Sequence, residues 1–219
     1  MKKKFILLTK LLLMMMLLTN SCKENKNSII ISGIVEDPNH QIRLENVTVN
    51  LYSQKIESGA YSSNFQLDET TVTNSRGEFS FSQPLSYTPV FELKFEKDNY
   101  FSFSEEFSSE EFTNSEYTNQ YEMFPEGYLK LHIKNVYPNF AGDILIYSFP
   151  EPELYCNDCC SNSDHKFTGK DIDEYIICKT CGNQDIILNW FVNENGNPSD
   201  FSENVFITAF DTTNFLIEY

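Results

Sequence analysis

Apolar and polar residues alternate along most of this chain. Ile29, Ile31 and Gly33 share one side of a stretch, and Val47, Val49 and Leu51 share another. Phe79 and Phe81 alternate with Glu78, Ser80 and Ser82, and Phe91, Leu93 and Phe95 with Glu92, Lys94 and Glu96. Further on, Leu129, Leu131 and Ile133 alternate with Lys130, His132 and Lys134, and Ile186, Leu188, Trp190 and Val192 repeat the rule. A period of two is the mark of a strand with one face in a core. No stretch of useful length has the helical period with caps. Turn signals stand between the strands at Asp37-Pro38-Asn39, Asn74-Ser75-Arg76-Gly77, Pro138-Asn139 and Asn195-Gly196-Asn197-Pro198. The pattern predicts an all-β protein of antiparallel β-sandwiches, and places Trp190 in a core.

The N-terminus follows another rule. Lys2, Lys3 and Lys4 precede two apolar stretches, Phe5 to Leu8 and Leu11 to Leu18. The longer is eight residues, less than half of the roughly 20 that a membrane-spanning helix needs. It reads as the apolar part of a signal peptide. Leu18-Thr19-Asn20-Ser21-Cys22 follows, then a polar tether to residue 27. Small or polar residues before a cysteine resemble the lipobox of bacterial lipoproteins. That resemblance implies cleavage after residue 21, lipid on the Cys22 thiol, and attachment to the outer membrane of a Gram-negative cell. Lys23-Glu24 resembles a partial surface-export signal, which points to display on the surface.

Removing residues 1–21 takes four lysines and no acids, and leaves about 198 residues with 12 basic and 32 acidic side chains. A net charge near −20 has the wrong sign for nucleic acid or for anionic lipid headgroups, and serves solubility.

A second resemblance rests on ISGIVEDPNHQIRLENVTVNLYS, TTVTNSRGEFSFS and FELKFEKDNYFSF. The Gly-x-Val start, the V-x-V-x-L strand, the hairpin around Gly77 and the late strand ending in Tyr100 resemble the carboxypeptidase regulatory-like, transthyretin-like domains. The match covers about residues 28–104. It implies a seven-stranded, non-catalytic accessory sandwich. Some transthyretin-like relatives hydrolyse a purine-derived ring, using a histidine–arginine set and a C-terminal tetrapeptide; this chain ends in Leu216-Ile217-Glu218-Tyr219 instead. Residues 105–126, rich in glutamate, read as an acidic connection with one edge strand near Tyr117 to Phe124. Residues 127–219 read as a second β domain of similar kind, with strands near 128–135, 143–149, 172–179, 184–193, 204–210 and 213–219.

Five cysteines remain beyond Cys22. Cys156, Cys159 and Cys160 lie in CNDCC, and Cys178 and Cys181 in CKTCG. The C-x2-C-x18-C-x2-C spacing, with Gly182 after it, fits a structural zinc held by Cys156, Cys159, Cys178 and Cys181. An exported chain favours disulfides between the two clusters. Either cross-link would staple Ser161 to Ile177, read here as a polar insert. A redox-active CxxC needs a βαβ context that the pattern does not offer. His40, His132 and His165 read as isolated, and Asp171, Asp173, Glu174 and the Asn193 to Asp200 loop do not match a calcium loop. No hydrolase, nucleotide-binding or zinc-protease motif occurs, and no catalytic residue or cofactor beyond the zinc alternative is expected. The expectation is a lipid-anchored, non-enzymatic envelope protein whose partner is another envelope protein or a surface polymer. The alternative is an accessory subunit or enzyme with a functional cysteine-rich site at residues 156–181.

Overall fold

The computed structural model describes residues 28–57, 60–84, 90–137, 140–150 and 159–219. The signal-peptide reading, Cys22 and Cys156 fall outside those residues, as does the Pro138-Asn139 turn. The described chain is β throughout, as the alternation predicts; its one helical element is a 3-10 turn at Ser109–Glu111.

The first half contains β1 (Ser28–Asp37), β2 (Ile42–Arg43), β3 (Thr48–Glu57), β4 (Ala60–Val72), β5 (Glu78–Pro84), β6 (Val90–Glu96), β7 (Phe103–Ser108) and β8 (Glu116–Glu122). β1 lies between β5, antiparallel, and β8, parallel, with β2 at its far end. The order β4-β3-β6-β7 makes the facing sheet. Every second residue of β1 is buried. Ile31, Val35, Phe81 and Tyr121 from one sheet meet Val49, Leu51, Leu93 and Phe95 from the other in one core. The β4–β5 connection turns at Gly77, whose φ of 71° and near contact with the Val35 carbonyl require glycine.

Residues 105–126 are therefore not a connection. They carry the end of β7, the 3-10 turn and all of β8, and they complete the first sandwich. The acids are the wet half of an alternation: Phe107, Tyr117, Tyr121 and Met123 are buried between them. The first domain reaches about Met123 rather than residue 104.

The second half contains β9 (Glu126–Lys134), β10 (Ile144–Ser148), β11 (His165–Thr168), β12 (Asp173–Cys181), β13 (Gln184–Glu194), β14 (Asn197–Ile207) and β15 (Thr212–Glu218). β9 lies between β12, antiparallel, and β15, parallel, and faces a sheet ordered β11-β10-β13-β14. Apart from the two-residue β2, which has no counterpart, the two halves match strand for strand. β9 takes the place of β1, β10 of β3, β11 of β4, β12 of β5, β13 of β6, β14 of β7 and β15 of β8, with each pairing among these strands and its direction repeated. The chain is two tandem sandwiches of one topology. Leu129, Leu131, Ile133, Leu145, Leu188 and Ile217 form the second core.

Two local expectations change. Ser161 to Ile177 is not an insert, because it supplies β11 and the first half of β12. Trp190 is only half-buried, although Leu188 and Val192 on the same strand face are in the core.

Candidate functional site: the junction between the two sandwiches

The sandwiches meet where β1 ends and β9 begins. The first contributes the turn after β1 and the β6–β7 loop. The second contributes the β12–β13 turn and the β14–β15 turn. Backbone bonds tie them: Glu126 N–H donates to the Asn99 carbonyl at 2.8 Å and Gly182 N–H to the Pro125 carbonyl at 2.8 Å, while within the second sandwich Phe210 N–H donates to the Glu126 carbonyl at 2.7 Å. Asn99, Asn183 and Phe210 all have positive φ (64°, 55° and 62°). Asparagine tolerates that region through local hydrogen bonds. A phenylalanine there is strained by about 1–3 kcal/mol, so the surrounding contacts must hold it.

At the centre is a chain of side-chain hydrogen bonds. Asp37, fully buried at the end of β1, accepts the backbone N–H groups of Asn39 (2.8 Å) and His40 (2.9 Å) through Oδ1. Its Oδ2 meets His40 Nδ1 at 2.6 Å and accepts the Tyr100 hydroxyl at 3.1 Å. Burial, and then the nearby Asp37 charge, push the Tyr100 hydroxyl above its ordinary pKa. Across the junction His40 Nε2 lies 2.7 Å from Asn183 Nδ2, and Asn183 Oδ1 accepts Ala209 N–H at 3.3 Å. The Ala209 bond sets the Asn183 amide so that its NH2 faces histidine. The neutral imidazole then donates from Nδ1 to Asp37 and accepts at Nε2. Phe210 stacks on the His40 ring at 5.7 Å and 5°, and tilts against Tyr100 at 5.4 Å. Asn39 Nδ2 donates to the Gly182 carbonyl at 2.8 Å.

Gly182 has a different reason from the one its sequence context suggests. Its φ lies outside the left-handed region, and a Cβ there would come within 2.4 Å of Ala209 Cα. Close approach of the two turns demands the glycine, not a metal knuckle.

The cysteines border the same junction. Cys160 and Cys178 form a disulfide across 18 residues. Cys159 is also disulfide-bonded, and with buried Cys181, Phe101 and Phe124 it forms a small apolar cluster between the sandwiches. Cys159 runs parallel to Lys179 in an isolated bridge, and Cys160 N–H donates to the Lys179 carbonyl at 2.9 Å. Lys179 Nζ reaches Glu126 Oε1 at 2.7 Å and lies over the Phe101 and Tyr128 rings; the Glu126 bond raises its pKa. The four-thiolate zinc set is not what this structure holds. Cys178 and Cys159 both have their sulfurs in disulfides, and a disulfide sulfur is no thiolate ligand. Among the described residues no group of three His, Cys, Asp or Glu side chains is placed to hold a metal.

The other candidates separate. His132 Nε2 meets Asp173 at 2.6 Å and stacks on Tyr175 at 4.1 Å, on the outer face of the second sandwich. The His132 bond lowers the Asp173 pKa. His165 stacks on Tyr147. The Asn193 to Asp200 stretch is the β13–β14 hairpin. The residue that sequence reasoning missed is His40, which reads as isolated in a loop. Its Asp37 partner three residues earlier is a local signal that was available; its Asn183 partner, 143 residues away, was not.

No family model matches the chain, and no curated protein matches it. Among solved structures the chain is similar to the Bacillus anthracis TIE protein, at 11% identity and a TM-score of 0.37, covering 87% of this chain and 34% of that one. It is similar to a Streptococcal ancillary pilin at 16% identity and a TM-score of 0.36, covering 90% and 63%. It is also similar to GBS52, the minor pilin of Streptococcus agalactiae, at 14% identity and a TM-score of 0.30, covering 88% and 94%. The chain thus spans about a third of the first and under two thirds of the second. TM-scores of this size do not define a shared fold.

Proposed function

We propose that this protein is a lipid-anchored, non-enzymatic envelope protein that holds two latched β-sandwiches at a bacterial membrane surface. The observation that carries the non-enzymatic reading is the use made of His40. An aspartate-oriented histidine is half of a nucleophile–base pair, in which Nε2 takes a proton from serine or cysteine. Here Nε2 meets the Asn183 amide, a donor with no nucleophilic role, and Asn183 is itself held by the opposite turn. The pair's hydrogen-bonding capacity goes into joining domains. The first sandwich, with β7 and β8 included, is read as a carboxypeptidase regulatory-like accessory module.

The anchor rests on the sequence: the basic start, the short apolar run and Ser21-Cys22. One acyl chain binds reversibly at ~0.8 kcal/mol per buried methylene, and several chains together hold firmly. In this reading the anchor lies in an outer membrane and the sandwiches face outward. Cys22→Ser is expected to move the protein from the membrane fraction into the soluble or unprocessed pool. Membrane retention and mass identical to the parent would refute the anchor. Resistance to external protease on intact cells, with cleavage after lysis, would refute outward display while leaving the anchor standing.

A further inference from the structure

At the end away from the junction, the second sandwich holds a buried carboxylate with few partners. Among the described residues Asp37 and Asp143 are the buried aspartates. Asp37 is met by two backbone N–H groups, a histidine and a tyrosine. Asp143, 1% exposed, receives only Asn135 Nδ2 on Oδ2 and Asn195 N–H on Oδ1, both at 3.1 Å. No lysine, arginine or histidine among the described residues pairs with it. A carboxylate accepts up to about four hydrogen bonds, and a buried charge is normally paired or bound to a metal. The fold does not require an acid there. β3 takes the place of β10, and the residue in front of β3, Val47, is apolar and fully buried.

A second, independent feature faces the same spot. Tyr219 follows β15 and lies beside Asn135: its N–H donates to the Lys134 carbonyl at 3.1 Å, and its carbonyl accepts Val136 N–H at 2.7 Å. Its side chain is buried, and its hydroxyl has no hydrogen-bond partner among the described residues. After burial, the charges of Asp143 and Glu194 are what push that hydroxyl's pKa up, so both carboxylates lie near it. Glu194 ends β13, one residue before the N–H that Asp143 accepts, and alternation sets it on the core side with Leu188 and Val192. Glu194 has no ion-pair partner among the described residues either.

We propose that this end of the second sandwich binds one calcium ion, held by the carboxylates of Asp143 and Glu194 and the hydroxyl of Tyr219, with Asn135 fixing Asp143 in place. The two carboxylates balance its charge. Every donor is an oxygen, which suits a hard cation rather than zinc or copper. Calcium takes about six to eight oxygens in loose geometry, neutral groups and water among them. Two acids with a hydroxyl therefore serve where no three acids are grouped. Magnesium asks for a near-ideal octahedron, which ligands from three separate strand ends do not set. The ion clips the two sheets together, because Tyr219 follows β15 of one sheet while Asp143 and Glu194 belong to β10 and β13 of the other. The site goes beyond the scaffold reading and does not depend on Cys22.

The experiment uses full-length protein in a non-ionic detergent, stripped with chelator and dialysed. Terbium(III), a calcium stand-in whose emission a nearby tyrosine sensitises, is titrated in and then displaced with calcium. The expected result is saturable emission at one terbium per chain, its loss on adding calcium with an apparent Kd of about 1 mM or tighter, and a melting temperature that rises with calcium. Asp143→Asn and Glu194→Gln are each expected to weaken binding about tenfold or more, with the parental circular dichroism spectrum. Should Asp143→Asn fail to fold, Glu194→Gln, on the more exposed residue, decides. Tyr219→Phe, which leaves the metal-free protein at least as stable, is expected to shrink the calcium-induced rise in melting temperature. Three results would overturn the proposal: no saturable emission and no melting shift with calcium up to ~10 mM; parental affinity in Glu194→Gln; or binding of many ions per chain that none of the three variants changes, which assigns the signal to the exposed acids.

Discussion

Replacing Asp37 by alanine tests the junction where its chemistry is most concentrated. The carboxylate is fully buried and receives two backbone N–H groups, the His40 ring and the Tyr100 hydroxyl. Tyr100 is 8% exposed, so its hydroxyl would be stranded; an orphaned buried polar group costs about 1–3 kcal/mol. His40 is 29% exposed and water can replace part of its bond, which limits that loss to about 1 kcal/mol. The sum is on the order of 3 kcal/mol. For a domain of this size that lowers the melting temperature by roughly 12–24 °C. Asp37→Asn keeps an acceptor for the turn and for Tyr100 and should cost about 1 kcal/mol. The assay is urea denaturation followed by circular dichroism for the whole chain and by Trp190 emission for the second sandwich. The two transitions of Asp37→Ala should separate as the domains uncouple. Combining Asp37→Ala with Asn183→Ala should show a coupling beyond roughly 0.5 kcal/mol, because His40 connects the two. A loss within ~0.5 kcal/mol, the size of an ordinary surface substitution, would refute the argument. So would strict additivity of the pair.

Two further expectations concern the second sandwich. Non-reducing peptide mapping should recover a Cys160–Cys178 cross-linked peptide, and reduction should cost about 3 kcal/mol in urea for a closed loop of this length; native protein in which both thiols alkylate would contradict it. Burial, the leading cause for both, pushes the Tyr147 and Tyr219 hydroxyls up to about 12. An unfolded tyrosine ionises near 10, so their contribution is whole below about pH 10 and is lost as pH rises towards 12. Tyr219 Oη is buried without a hydrogen-bond partner among the described residues. Tyr219→Phe should therefore be neutral or stabilising by up to about 1 kcal/mol at pH 7, and should flatten the alkaline loss; an equally steep decline above pH 10 would contradict this.

Alternation along the chain was enough to determine the all-β class, most strand positions and the existence of a second sandwich. A strand's two faces are written locally, every second residue. Gly77 is of the same kind, since a tight turn constrains its own residue. The glutamate-rich stretch from 105 to 126 misled for a physical reason: composition averages over both faces, and Phe107, Tyr117 and Tyr121 were outnumbered by the acids that flank them in water. Tertiary structure alone decided which strands pair, and so revealed that the two halves repeat one topology with little sequence likeness. It also decided the fate of three residue types that sequence spacing treats alike. Cys178 joins Cys160 because β12 passes the 159–160 segment, although its spacing suits a zinc set equally well. His40 looks isolated until a turn 143 residues later brings Asn183 against its second nitrogen. Trp190 alternates with core residues and packs against that core, yet its register partner on β14 is the exposed Phe201. How much of the ring is covered is decided by strands distant in the chain, which no local pattern encodes.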